Sequence, residues 1–440
     1  TKIGAALIET PQSVSVVTRK QLDDQSVQTV SQALRYTAGV TSEARAGRYD
    51  YPNIRGFGAP GGADANFVGL LDGMRLPRGV YYIAPSIDPY MLERVELLRG
   101  PSSVLYGAIN PGGVVNLVSK RPTAETLREV ELQYGSFNRR QIGFDFSGSI
   151  NDDSSLLYRL TGVARLADTQ VNFTKDERYS VAPALTWRPD DDTRLTVLGH
   201  FQNDPSAGAF TYLPYAGTVA PTPGGFRFSR DFFEGDPSFD RSHRKQGAIG
   251  YEFEHRFSDT WTVRQNLRYM RLDYDYRSVF ETGWNPGYTE LNRGTVASIE
   301  SADTFTVDTQ AQADFDTGVI HHTALLGIDY RHNKGKSLLG MGTAPDLNAA
   351  NPSYGGGITA PELSNRTDQT LDQLGFYAQD QMKWGNWTWL LGARAEPVRQ
   401  PVDQAAPEIA SCGQSTVGQT RARRRHGGRT AEGRRTISRM

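Results

Sequence analysis

From about residue 127 the chain alternates apolar and polar positions with a period of two, the spacing of a strand with two unlike faces. Ile142, Phe144, Phe146 and Ile150 alternate with Gly143, Asp145, Ser147 and Ser149. Leu156, Tyr158, Leu160, Ala164 and Leu166 face away from Arg159, Thr161 and Arg165. Leu195, Val197 and Phe201 oppose Thr196, His200 and Gln202; Met270, Leu272, Tyr274 and Tyr276 oppose Arg271, Asp273, Asp275 and Arg277; Ala324, Leu326, Ile328 and Tyr330 oppose Asp329 and Arg331. The spacing predicts about eleven such strands between residues 129 and 399, each longer than the roughly five or six residues usual in soluble sheets. Short turns are expected at 151–153, 189–192, 258–259, 317–318 and 385–386, and long loops near 205–242, 281–297 and 335–368. Short turns on one rim and long loops on the other are the layout of an outer-membrane barrel. Trp187, Trp261, Trp384, Trp387 and Trp389 stand near strand ends, where an interfacial girdle places them.

The first 122 residues have another texture. Ser13 to Val17 forms a strand pattern, and Thr29 to Tyr36 carries Val30, Ala33 and Leu34 at helical spacing before the stop signal Gly39. Val95 to Leu98 and Val114 to Val118 read as further short strands between Gly-Pro turns. A mixed α/β unit of about 120 residues is expected ahead of the long strands.

Composition changes this picture little. Apolar residues are 38% of 440, glycine (45) and tyrosine (20) are abundant, and no run of eighteen apolar residues offers a transmembrane helix. The single Cys412 excludes an internal disulfide. The formal charge of -1 is uneven, because residues 412–440 hold eight Arg and one Glu, or +7, leaving -8 for residues 1–411. No leader pattern precedes Thr1-Lys2-Ile3-Gly4, so the chain is expected to start inside a longer protein.

Residues 9–122 resemble the plug of TonB-dependent siderophore receptors, the hydroxamate (ferrichrome-type) branch most closely. The resemblance rests on Glu9 to Thr18, Gln32 to Val40, Ile54-Arg55-Gly56-Phe57, Leu71-Asp72-Gly73, Ile87 to Glu96, Leu98-Arg99-Gly100-Pro101, Tyr106-Gly107, Pro111 to Asn116 and Ser119 to Pro122, and continues through the strand pattern to about residue 395. It implies an α/β plug domain inside a transmembrane antiparallel β-barrel of roughly 22 strands, of which about eleven are present here. The expected division is a plug at 1–122, the N-terminal half of the barrel at 127–399, and a non-homologous, disordered Arg-rich tail at 400–440. An open half-barrel leaves unpaired edges, so the chain alone is expected not to insert stably in a membrane.

The resemblance also implies a role. The receptor would sit in the outer membrane of a Gram-negative bacterium, surrounded by outer-membrane lipid. It would bind a ferric siderophore at the extracellular face of the plug, and a TonB-ExbB-ExbD complex would energise import. Aligned family positions place ligand contacts at Arg45, Gly61, Gly62, Tyr81 and Tyr82; Gly62 stands where the family carries a glutamine. Arg55, Glu93, Arg94, Glu96 and Arg99 resemble the charges that dock such a plug to the barrel wall. Phe210, Tyr212, Tyr215, Trp284 and Tyr288 in the long loops are further ligand candidates. No resident cofactor or metal is implied, because the siderophore fills the iron's coordination sphere, and His321 and His322 point to opposite faces of one strand.

Other readings carry less. Gly335-Lys336-Ser337 ends like a phosphate loop, but Tyr330 occupies the position that needs glycine. No His-Glu-x-x-His or Gly-x-Ser-x-Gly is present, so an enzyme is not expected. The basic run Arg421 to Arg429 would suit phosphate contacts, but it lies beyond the resemblance and reads as a shifted frame, so no nucleic-acid partner is expected. A receptor for a catecholate chelate, and a non-functional fragment of a receptor, remain open alternatives.

Overall fold

The computed structural model describes residues 13–43, 50, 52–57, 69–100, 103–107, 109, 111–208 and 212–405. The N-terminal unit is built on a five-stranded sheet. In chain order it has β1 (Val14–Thr18), helices α1 (Arg19–Asp24) and α2 (Val30–Ala33), β2 (Val40–Thr41), β3 (Asn53–Ile54), β4 (Gly69–Leu71), β5 (Met74–Arg75), a 3₁₀ turn (Pro89–Met91), β6 (Leu92–Arg99), helix α3 (Ser103–Tyr106) and β7 (Gly113–Ser119). The sheet order is β1-β6-β7-β4-β5, with only β4 and β7 parallel.

Local chemistry sets several of these elements. Thr18 caps α1 in a capping box, its hydroxyl accepting from the Gln21 N–H while the Gln21 amide oxygen accepts from the Thr18 N–H at 3.0 Å. Thr29 caps α2 with its hydroxyl, which accepts from the Gln32 N–H, and this helix is one turn rather than the longer span expected from 29 to 36. Asp72 and Gly73 both take positive φ (52° and 76°), the conformation of a tight hairpin turn, and connect β4 to β5.

Eleven strands follow as one antiparallel meander: β8 (Leu127–Gly135), β9 (Arg139–Ser149), β10 (Leu156–Asp168), β11 (Lys175–Trp187), β12 (Thr193–Ala207), β13 (Arg241–Arg256), β14 (Trp261–Trp284), β15 (Glu290–Thr317), β16 (Ile320–Asn348), β17 (Asn365–Trp384) and β18 (Trp387–Ala395). Two short strands, β19 (Val398–Arg399) and β20 (Val402–Ala405), also pair with β17. No helix among the described residues is long and apolar enough to cross a membrane.

The alternation expected on β10 is present: Arg159, Thr161 and Arg165 are buried, and Leu160 and Leu166 are exposed on the other face. Thr196, His200 and Gln202 on β12 are likewise buried opposite exposed Val197 and Phe201. The buried face meets the N-terminal unit. Leu92, Val95, Leu97, Val115 and Leu117 of that unit share one apolar core with Val163, Ala248, Met270, Leu272, Tyr274, Tyr276, Val296 and Leu339 of the long strands.

β14 corrects a simple reading of the pattern. Met270, Leu272, Tyr274 and Tyr276 point inward against the N-terminal unit, while Arg271 and Asp273 are exposed. An apolar outer band needs only about 9–11 residues to cross a bilayer. On β14 it runs from Trp261 to Tyr269, whose hydroxyl donates to Asp303 at 2.8 Å. On β16 it ends at Tyr330, whose hydroxyl donates to Asp372 at 2.9 Å. Above those tyrosines the outer face is in water and carries charges; on β14 the inner face there takes the apolar set, while on β16 it keeps buried Arg331, Asn333 and Ser337. For the same reason the loops expected at 281–297 and 335–368 are shorter: β14 reaches Trp284, β15 starts at Glu290, and β16 continues to Asn348.

Candidate functional site

The sheet and the N-terminal unit meet along residues 71–90 and 119–121, which run across the inner wall. Asp88, ahead of the 3₁₀ turn, accepts from Arg165 Nη2 at 2.6 Å and Arg178 Nη1 at 3.2 Å, and from the Tyr90 N–H. Arg178 and Arg244 share Asp204 at 2.8 and 2.7 Å. The Ser86 carbonyl accepts from Gln202 and Gln246, and Arg244 donates to the Ala84 carbonyl. A second anchor is Asp72, bound by Arg268 at 2.5 Å and Arg121 at 2.9 Å, with Arg121 also on Glu252 at 2.6 Å. A third is Lys120, which donates to Asp145 at 2.7 Å beside Arg159.

Burial alone would raise the Asp88 and Asp72 carboxyls. The guanidiniums of Arg165 and Arg178 around Asp88, and of Arg121 and Arg268 around Asp72, outweigh it and hold both below the usual carboxylate range. Both are ionised at neutral pH and paired inside the contact.

These anchors are not the residues expected from the sequence. Arg94 pairs with Glu96 on its own strand at 2.7 Å, and Glu96 also accepts from Asn116 of β7. Arg99 donates to Ser13 and to the Ala38 carbonyl. Arg55 is exposed, at a φ of 52°, with its N–H on the Gly39 carbonyl, and Glu93 is half-buried on β6. The contacts of Arg94, Glu96 and Arg99 serve the N-terminal unit itself, because residues i and i+2 of a strand share a face and pair with each other first. Arg94→Ala is therefore expected to shift thermal unfolding by no more than about 0.5–1 kcal/mol, as for a partly exposed pair. A loss several times larger would restore a docking role.

At the other end of the contact lies the segment with Tyr81 and Tyr82. Both N–H groups donate to Glu300 of β15, at 3.0 and 2.8 Å. The Tyr82 ring lies 4.7 Å from that of Tyr276 on β14, and the Tyr81 hydroxyl is 3.3 Å from Thr367 Oγ1 on β17. Arg78 is tied to Asn333 of β16 through its N–H and carbonyl. The sequence singled out Tyr81 and Tyr82 but not Tyr276. The signal was the Tyr-x-Tyr pair at 274 and 276, directly above the Tyr269 boundary. Arg45, Gly61, Gly62 and Phe210 lie outside the described residues.

The other loop aromatics build the long loop between β12 and β13. Trp284 donates to the Ala216 carbonyl at 2.9 Å and stacks on Phe228 at 5.3 Å. Phe232 is buried, while Tyr212, Tyr215 and Tyr288 keep exposed faces. His321 and His322 pair separately, with Asp316 and with Asp380. No group of three or more His, Cys, Asp or Glu side chains suited to a metal ion occurs among the described residues.

A folded unit held by buried ion pairs against the inner face of an antiparallel sheet with a lipid-type outer band defines a plug-and-barrel outer-membrane receptor. Comparison with known proteins agrees. The TonB-dependent Receptor Plug Domain model matches residues 6–114, and the TonB dependent receptor-like, beta-barrel model matches residues 184–422. The chain belongs to the TonB-dependent receptor family.

Two relatives are informative. The Ferrioxamine B receptor of Salmonella typhimurium (strain SL1344) is 40% identical over 401 residues, covering 90% of this chain and 56% of the relative. The Ferrichrome outer membrane transporter/phage receptor of Escherichia coli K12 is 41% identical over 421 residues, with the same two coverages. The chain thus spans about half the length of these relatives. Among solved structures, the open form of the ferric-catecholate import receptor Fiu from Escherichia coli K12 aligns with a TM-score of 0.79 at 23% identity, covering 94% of this chain and 63% of that one. The siderophore receptor PiuA from Acinetobacter baumannii gives 0.79 at 21% identity, covering 92% and 60%. These two likenesses concern the fold.

Proposed function

We propose that this chain is the plug and the first barrel strands of an outer-membrane receptor that imports ferric siderophores of the hydroxamate class. The observation that carries the reading is the mouth: Tyr81 and Tyr82 on the plug face Tyr276 and Thr367 on the wall. A ferric hydroxamate is bulky and rich in acceptor oxygens, and phenols offer it both faces and donors. The relatives named for ferrioxamine B and ferrichrome support the same class. In this reading residues 1–122 are the plug, 127–399 the barrel wall, and Arg45, Gly61 and Gly62 complete the ligand contacts. The TonB-ExbB-ExbD complex supplies the energy. The chain is a receptor, and its side chains perform no covalent step.

The test is a titration of the chain in detergent micelles with ferrioxamine B, ferrichrome and a ferric catecholate, read by quenching of intrinsic fluorescence. Saturable quenching by the hydroxamates alone is expected. A preference for the catecholate would overturn the cargo class, and no quenching by any of them would overturn the function. In the same assay Tyr82→Ala and Tyr276→Ala are each expected to weaken hydroxamate binding about tenfold or more, as buried aromatic anchors do. The double variant should lose less than the product of the two, because the rings touch.

A further inference from the structure

Glu300 stands apart from the carboxylates that anchor the plug through ion pairs. It is 2% exposed on β15. The acids that anchor the plug elsewhere, Asp72, Asp88, Asp145 and Asp204, each meet two cations. Among the described residues the hydrogen-bond partners of Glu300 are neutral donors: the Tyr81 N–H on Oε2 at 3.0 Å, the Tyr82 N–H on Oε1 at 2.8 Å, the Ser298 hydroxyl on Oε1 at 2.8 Å, and the Ile83 N–H. A buried carboxylate without a counter-ion is costly unless its hydrogen bonds are good. Here they come from the consecutive backbone amides of Tyr81, Tyr82 and Ile83, so the carboxylate fixes the main chain of the Tyr81-Tyr82 dipeptide and the residue after it, and Ser298 fixes the carboxylate. From that dipeptide the Tyr82 ring reaches Tyr276 on β14 and the Tyr81 hydroxyl reaches Thr367 on β17.

We propose that Glu300 is the positioning residue of the chelate site: it does not touch the ligand, but it holds the Tyr81-Tyr82 backbone so that both phenols stand at the mouth. The inference rests on the functional reading above. Glu300 is also the point where occupancy of the plug loop is felt by a barrel strand, since any ligand that shifts Tyr81 or Tyr82 strains these bonds.

The experiment is a double-mutant cycle on the full chain, using the two ferric hydroxamates of the preceding titration. Glu300→Ala is expected to weaken binding about tenfold in the native background, the scale of losing two hydrogen bonds to a charged acceptor. In a Tyr81→Ala/Tyr82→Ala background it should change affinity less than twofold, which a general loss of folding would not do. Glu300→Gln, which keeps the side chain's shape and one acceptor, should weaken binding in the same direction, and it carries the test if the alanine variant does not fold. Asp308→Asn, an inward carboxylate on the same strand that accepts from Tyr377, should leave affinity within twofold. Equal losses in both backgrounds, or native affinity in both Glu300 variants, would overturn the positioning role while leaving the functional reading intact. A wild-type chain that binds neither hydroxamate overturns the reading itself, and the inference with it.

Discussion

Replacing Asp88 with alanine is expected to loosen the plug from the barrel wall by about 3–5 kcal/mol, the scale of removing one partner from a buried ion pair. The loss is large because of what remains. Arg165 and Arg178 have side chains only 3% and 7% exposed, and both lose an acceptor. Arg178 keeps Asp204, but among the described residues Arg165 keeps Gln141 and a longer contact to Asp176 at 3.3 Å. Asp88→Asn should lose less, since an amide oxygen still accepts. Protection of plug amides against hydrogen exchange is the direct measurement.

The same network sets an acid limit. The folded carboxyls of Asp88 and Asp72 are held below their ordinary range, first against burial, by the arginines around them. Their contribution is therefore fully present above the unfolded carboxylate pKa of about 4 and is lost as pH falls through the lower folded values. Plug protection should stay flat from neutral pH down to about 4 and collapse only below that. Release between pH 7 and 5 would contradict the assignment.

The second large effect lies in the long loop between β12 and β13 and runs the opposite way. Glu234 is 1% exposed; one oxygen accepts from the Tyr212 N–H at 2.9 Å and the other has no partner among the described residues. Burial, with Asp240 and Glu281 nearby, pushes its carboxyl up to about 8. Burial also pushes Asp240, which accepts from the Val279 N–H, up to about 7. Arg293 does not relieve this, because it donates to the carbonyls of Glu234 and Gly235 and not to the carboxylate. A folded pKa raised above the unfolded value means stability that is full at low pH and lost as pH rises through the folded value. The packing of residues 212–240 against Trp284 and Tyr354 is thus expected to weaken steadily from about pH 5 to pH 8. Hydrogen exchange in this loop, corrected for the intrinsic rate, should accelerate over that range. Glu234→Gln should remove most of the dependence while keeping the loop folded, and a wild-type loop indifferent to pH would count against the buried acid.

What the sequence made legible follows from period. On β10 and β12 one face is lipid-type and the other polar, so alternate residues sort themselves. The reversal above Tyr269 was hidden because alternation says that two faces differ, not which faces inward. The switch from Tyr269 to Arg271 on one face was its only local mark. The anchors were hidden for another reason. Partner choice among charges is tertiary, and Arg94 with Glu96 looked as suitable as Asp88. A sharper signal was available in Arg165, Arg178, Arg244 and Arg268, which alternation places on the buried face and which must each find an acceptor there. Asp72 and Asp88 stand inside the two family motifs Leu-Asp-Gly and Ile-Asp-Pro-Tyr and were the natural acceptors. At the mouth, Tyr81 and Tyr82 were reached by resemblance, whereas Tyr276 and Glu300 are brought to them by strand register over more than 190 residues of chain.

The most direct test of the whole account is a spin-label scan of residues 156–167 on β10, in a Cys412→Ser background in micelles, read by oxygen and nickel-chelate accessibility. The account predicts a two-residue rhythm, with labels at 158, 160, 164 and 166 open to the apolar phase and labels at 159, 161 and 165 closed to both agents by the plug. Labels at 159, 161 and 165 that are freely open to the water-soluble agent, or a scan with no rhythm, would contradict a plug packed inside a lipid-facing wall.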